Sequence, residues 1–127
     1  MAAGINATHA NALLNVMRNV AAGAIASVTA KMHTGDPGAA GTTNASTDTT
    51  ASSAIVWSAA SGGSMAYASG GLWTGIAVTP ASETITHISL WNGATHLWNL
   101  QLSASKVIQD GDSLQLNSCT LSFTPTA

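Results

Sequence analysis

Charge is what this chain has least of. Its 127 residues include three Lys or Arg and five Asp or Glu, 6% of the total, for a formal net charge of −2 with His neutral; a soluble domain devotes about a quarter of its residues to these four types. The cations Arg18, Lys31 and Lys106 are too few and too dispersed to neutralise a run of phosphates, so no nucleic-acid partner is expected. Cysteine is nearly missing too. Cys119 stands alone, so no internal disulfide can form and stability must come from apolar burial. Its parity with Leu121 and Phe123 predicts a buried, inert thiol. No run of about 18 uninterrupted apolar residues occurs, and the start lacks a basic stretch followed by an apolar one, so neither a membrane partner nor a targeting segment is expected. Repeats and heptads are absent as well, which argues against a fibrous shaft.

What is abundant is small. Ser, Thr, Asn, Ala and Gly must make up most of the surface, and such a coat repels its own copies only weakly. The composition points to a chain that lives packed in an assembly. Its length suits one domain, burying about two-thirds of the surface that the extended chain would expose.

The hydrophobic period divides the chain in two. Over residues 1–25, Leu13, Met17, Val20 and Ala24 recur at helical spacing, with Asn6 or Thr8 available as a cap and Gly23 as a stop. The stripe is narrow and the segment Asn-rich, so this helix needs something to lie against and is read as an attachment or oligomerisation element. From residue 26 to 127 the period becomes two, giving about eight short strands between turns. The expectation is a mainly β chain, a single antiparallel β-sandwich or jelly-roll-like domain. Residues 39–54 carry no large apolar side chain and are expected to form a low-complexity loop or extended surface arm. Leu72 to Val78 reads as one strand, and Asn92-Gly93 as the tightest turn. A two-residue loop there would place His87 near Trp98, and alternation on the return strand puts Trp98, Leu100 and Leu102 on a dry face and Asn99, Gln101 and Ser103 on a wet one.

Catalytic, cofactor-binding and metal residues are not expected. His9, His33, His87 and His96 include no pair at zinc-ligand spacing, and Asp110 and Asp112 suit a turn better than a calcium loop. Asp36, Asp48 and Glu83 lie in turn or loop contexts. S-A-A-S-G-G-S at Ser58 to Ser64 is not the elbow of a hydrolase. The residues expected to carry function are apolar: Leu13, Met17 and Val20 on the helix, with Trp57, Trp73, Trp91 and Trp98 in the core or at an interface.

Three phrases stand out: H-T-G-D-P-G at His33 to Gly38, W-S-A-A-S-G-G-S at Trp57 to Ser64, and T-H-I-S-L-W-N-G at Thr86 to Gly93, followed by a D-G-D turn at Asp110 to Asp112. In this order, over Lys31 to Phe123, they resemble a family of small virion structural proteins, labelled as tail-fibre or minor structural proteins, from phages of actinobacteria. The resemblance implies a non-enzymatic particle component, assembled in the bacterial host cytoplasm and residing on the virion surface. Its expected partners are its own copies, in a homo-oligomer such as a trimer, and the major capsid protein, which it would decorate and stabilise. The alternative is a tail-tip or tail-fibre module, with other tail proteins as partners and the host surface as its target.

Overall fold

The computed structural model of the chain describes residues 4–122. Phe123 and Pro125, expected on and after the last strand, lie outside them. The chain is mainly β and antiparallel, with one N-terminal helix. In chain order the elements are β1 (Gly4–Ile5), α1 (Ala7–Asn15), β2 (Thr29–His33), β3 (Val56–Trp57), β4 (Ser64–Ser69), β5 (Leu72–Trp73), β6 (Ser82–Asn92), β7 (Thr95–Gln109), β8 (Leu114–Gln115) and β9 (Thr120–Ser122). They form a four-stranded sheet in the order β1-β7-β6-β2, a three-stranded sheet β3-β4-β9 and a pair β5-β8. One apolar cluster draws on all three, from Met32, Ile88 and Leu90 of the large sheet to Trp73, Tyr67 and Leu121 of the others, with Ile55 from just before β3.

Asn6 starts the helix as expected, its Oδ1 accepting from the amides of Thr8 and His9 at 2.9 and 3.3 Å. The helix is far shorter than the predicted 1–25. A 3₁₀ turn over Val16–Arg18 follows, and Asn19 then takes a left-handed conformation (φ 60°) that ends it before Gly23 is reached. Asn tolerates that conformation because its side chain bonds locally, and an Asn-rich sequence contributes little propensity to resist it. None of the helix's residues is buried.

The long hairpin β6–β7 organises the large sheet, and its register differs from the expected one. Asn92 pairs with Thr95 and Trp91 with His96, so Gly93 and Ala94 form the two-residue loop, with Gly93 at φ 60°. Leu97 is then an extra residue, since Leu90 pairs with Trp98. His87 consequently faces Gln101 rather than Trp98.

Two further segments depart from expectation. Residues 39–54 are no projecting arm: they fold back along β2, where the Ser46 amide donates to the Met32 carbonyl and the Ser52 amide to that of Ala30. Ser46, Asp48 and Ser52 are buried there, small enough to lie against an edge strand while bonding its backbone. The segment 72–78 is a strand only at Leu72–Trp73, because Gly75 turns the chain at positive φ. Ile76 and Val78 still reach the core. Backbone bonds from Ile76 to Gly111 and Asp112 hold the first of them, and carboxylates hold the rest: Asp110 accepts from the Val78 amide at 2.7 Å and Asp48 from that of Ala77 at 3.3 Å.

Candidate functional site

Two of the three sequence phrases meet on one face of the four-stranded sheet. His33 closes β2 and pairs in register with His87 of β6, and Lys31 pairs with Ser89. Alternation puts Lys31, His33, His87, Ser89 and Trp91 on the side away from Met32, Ile88 and Leu90. On β7, Asn99 faces Ser89 and Gln101 faces His87. This polar face is largely covered by residues 34–45, the remainder of H-T-G-D-P-G and the glycine-rich stretch after it.

The cover is fastened by two hydrogen-bond chains. The Thr43 carbonyl can only accept, so His33 carries its proton on Nδ1 and donates it there (2.9 Å). His33 Nε2 must therefore accept, and the Ser89 hydroxyl donates to it at 2.7 Å while accepting from the Trp91 indole N–H at 2.7 Å. In the second chain Asn99 donates to the Gly38 carbonyl at 2.7 Å and accepts from His96 Nε2 at 2.7 Å. His96 Nδ1 then accepts from the Asn6 amide, which also donates to the Ala39 carbonyl at 3.1 Å. Gly41 sits against His96 so closely that a Cβ would come within 2.5 Å of the ring, and its φ is 71°. Lys31 Nζ lies 4.4 Å from the Trp91 ring centroid, and Trp91 packs on His96.

A serine hydroxyl bonded to an imidazole is the pairing that nucleophilic catalysis uses. Here the pair is sealed: Ser89 is 0% and His33 1% exposed, and the second ring nitrogen is oriented by a backbone carbonyl. Burial holds the His33 pKa below the ordinary histidine value, against the raising effect of the Thr43 carbonyl and with help from nearby His87, His96 and Lys31. His87 is also buried, bonded through Nδ1 to the Thr86 hydroxyl, and its Nε2 has no partner among the described residues. Among those residues no group of three or more His, Cys, Asp or Glu is placed to hold a metal ion. The face is built to fasten a loop.

The other chemical side chains also serve the backbone. For Glu83, burial alone would raise the pKa, but the Ser46 and Thr47 hydroxyls and the Thr47 amide outweigh it and hold the carboxyl below its usual range. Asp112 accepts from the Gln109 amide, and Asp36 from that of Gly38. In the W-S-A-A-S-G-G-S phrase, Ser58 Oγ accepts from the Ala66 amide and Gly62-Gly63 turn the chain between Ser61 and Ser64. Cys119 is half-buried rather than buried, and burial pushes its thiol pKa up.

The apolar candidates separate cleanly. Trp73 and Trp91 are buried within the chain, while Met17 and Val20 are 88% and 48% exposed. Leu13, Trp57 and Trp98 line an apolar groove of about 540 Å³, whose floor includes the core residues Ile55, Leu90 and Leu97. Sequence reasoning missed Ile25 and Val28, which line the same groove from the segment between the helix and β2. For Ile25 the signal is a large apolar residue in a stretch otherwise made of Ala, Gly and Ser, and for Val28 it is the parity with Ala30 and Met32, which marks a strand rather than a groove.

A family model described as podophage GP4 fiber I protein gp80 matches residues 4–124. The match spans nearly the whole chain and points to a phage fibre family, without singling out phages of actinobacteria. No curated protein matches the chain. Among the described residues, no helix is long and apolar enough to cross a membrane.

Proposed function

The chain belongs to the podophage GP4 fiber I protein gp80 family, and from that premise we propose that it is a non-enzymatic tail-fibre module of a phage particle, working through its surfaces. The family match carries this reading, because its description names a fibre. It favours the tail-fibre alternative over the capsid-decoration role expected from the sequence. That expectation weighed the lack of repeats and heptads too heavily: a shaft needs them, whereas a compact β module mounted on a fibre does not.

The site geometry supports the non-enzymatic part. Two of the three phrases that single out this sequence are spent on fastening residues 34–45 to the sheet, and the Ser89–His33 pair is closed to any substrate. The partners in this reading are further copies of the chain and other tail proteins, with a location on the virion. The test is to label the polypeptide in intact particles and count its copies. Label at the tail with a small copy number is the expected result; hundreds of copies spread over the shell would restore the capsid reading.

A further inference from the structure

A second cleft, of about 340 Å³, lies beside β7 and shares no lining residue with the apolar groove. It is tied to an irregularity in the long hairpin. Ile85 pairs with Lys106 and His87 with Gln101, so β6 has Thr86 alone where β7 has residues 102–105. The extra residues must leave the ladder, and bulges of this kind re-aim side chains next to binding sites. One wall of the cleft is this bulge and the other is the segment 114–120. Its floor is apolar, made by Trp73, Ile88 and Leu100, and the pairing of Trp73 with Leu114 joins the floor to the second wall.

The rim is polar and unspent. Elsewhere in the chain the buried polar side chains are tied to backbone, but Gln101, Ser103, Asn117, Ser118 and Thr120 make no side-chain hydrogen bond to any described residue. Gln115 spends its amide nitrogen on the Tyr67 hydroxyl and on the Gly70 and Leu116 carbonyls, and keeps its Oε1 free. The floor has an unmet donor as well. Trp73 is 3% exposed, and its indole N–H has no partner among the described residues. A buried donor left unpaired is costly, so a floor that shifts to bring a ligand oxygen to it gains a bond that the chain alone does not make.

We propose that this cleft binds a neutral saccharide residue. The argument is chemical complementarity. A sugar ring has an apolar C–H face, which suits the floor of Trp73 and Leu100, and a belt of hydroxyls that both donate and accept. The carboxamides of Gln101 and Asn117 and the hydroxyls of Ser103, Ser118 and Thr120 also do both, so the two sets can pair without a fixed polarity. An anion fits less well, since Lys106 is the one cation in the lining and stands without a second to share a phosphate. An acyl chain fits less well too, because it would cover the rim amides without bonding them. The volume is at the small end of ligand sites, which suits one ring of a longer glycan.

The test is saturation-transfer NMR on the full chain, read on the sugar and therefore usable whatever assembly the chain forms. The probes are glucose, galactose, mannose, rhamnose and N-acetylglucosamine, with glucuronate and inorganic phosphate as charged comparators. At least one neutral sugar should bind saturably, with a Kd of about a millimolar for a single ring. Gln101→Ala and Asn117→Ala remove rim amides at exposed positions that bond nothing in the chain, so both variants should keep the wild-type near-ultraviolet circular dichroism. Each should weaken binding by about fivefold or more. Ala60→Lys, which places a charge in the other groove, should leave it unchanged. No saturable binding by any neutral sugar overturns the inference. So does binding confined to glucuronate or phosphate, or binding that survives both rim substitutions. The inference goes beyond the fibre reading and fails separately from it: a chain found at the tail that binds no sugar sinks this inference alone, and a sugar-binding chain found on the capsid shell sinks the fibre reading alone.

Discussion

The cover over the large sheet and the N-terminal segment solve the same compositional problem in opposite ways. Both are short of charge, and both are rich in small or polar residues. In the cover, Thr43, Gly38 and Ala39 give their carbonyls to His33, Asn99 and Asn6, so the polar groups find partners inside the chain. In the N-terminal segment, Leu14, Met17 and Val20 stay 68%, 88% and 48% exposed. The lesson is that a low-charge surface can be closed by an internal polar network or left open for another molecule, and composition alone does not say which.

The sharpest way to break the contrast is at Gly41. An alanine there would need a left-handed backbone and would collide with a His96 ring pinned on both nitrogens, so we expect a loss of about 4 kcal/mol from strain and broken hydrogen bonds together. Denaturant unfolding of Gly41→Ala reads it directly, and a loss under about 1 kcal/mol would mean that the cover is not held as described. Ser89→Ala is expected to cost roughly 3 kcal/mol, since it leaves both the Trp91 indole N–H and His33 Nε2 buried without a partner. Ser89→Cys, with a weaker donor and acceptor, should fall between.

Acid acts on the same face more gently. His33 has a lower pKa folded than unfolded, so the unfolded chain binds the extra proton first as pH falls. Stability should be at its full value above the ordinary histidine value, about pH 6.5, and decline as pH drops through that point toward the folded pKa. Glu83, also depressed, adds a second decline beginning near the ordinary glutamate value, about pH 4.3. In His33→Asn the first decline should shrink to the part that His9, also held low by burial, contributes, and a melting series from about pH 8 to about pH 4 would show whether it does. The smallest effect belongs to the other region: at concentrations low enough to keep copies apart, Met17→Glu should change folding stability by less than about 0.5 kcal/mol. A large loss would show that Met17 packs within its own chain.

Much of the fold was legible. The period of two from residue 26 onwards marked a mainly β, antiparallel chain, and Asn6 marked the helix start. The site was harder to read, for physical reasons. Asn99 alternates with Trp98 and Leu100, which reads as one wet and one dry face, yet Asn99 is buried because residues distant in sequence close over it. The bulge at Leu97 leaves no mark in composition, and it shifts every pairing beyond it. The same masking made Trp73 and Trp57 look alike, although one is inside the core and the other lines the groove.

Asn6 has a mechanical meaning. Its backbone N–H is bonded to Leu97, its carbonyl to the Ala10 amide, its Oδ1 to the first turn of the helix, and its side-chain amide to His96 and Ala39. Strand β1 before it is only two residues long, a short zip along the edge of β7. Tension applied at the front of the chain would peel β1 and then arrive at this one residue, which distributes it among helix, hairpin and cover. Asn6 is thus the rivet through which a pull on one end of the module becomes a load shared by its whole frame.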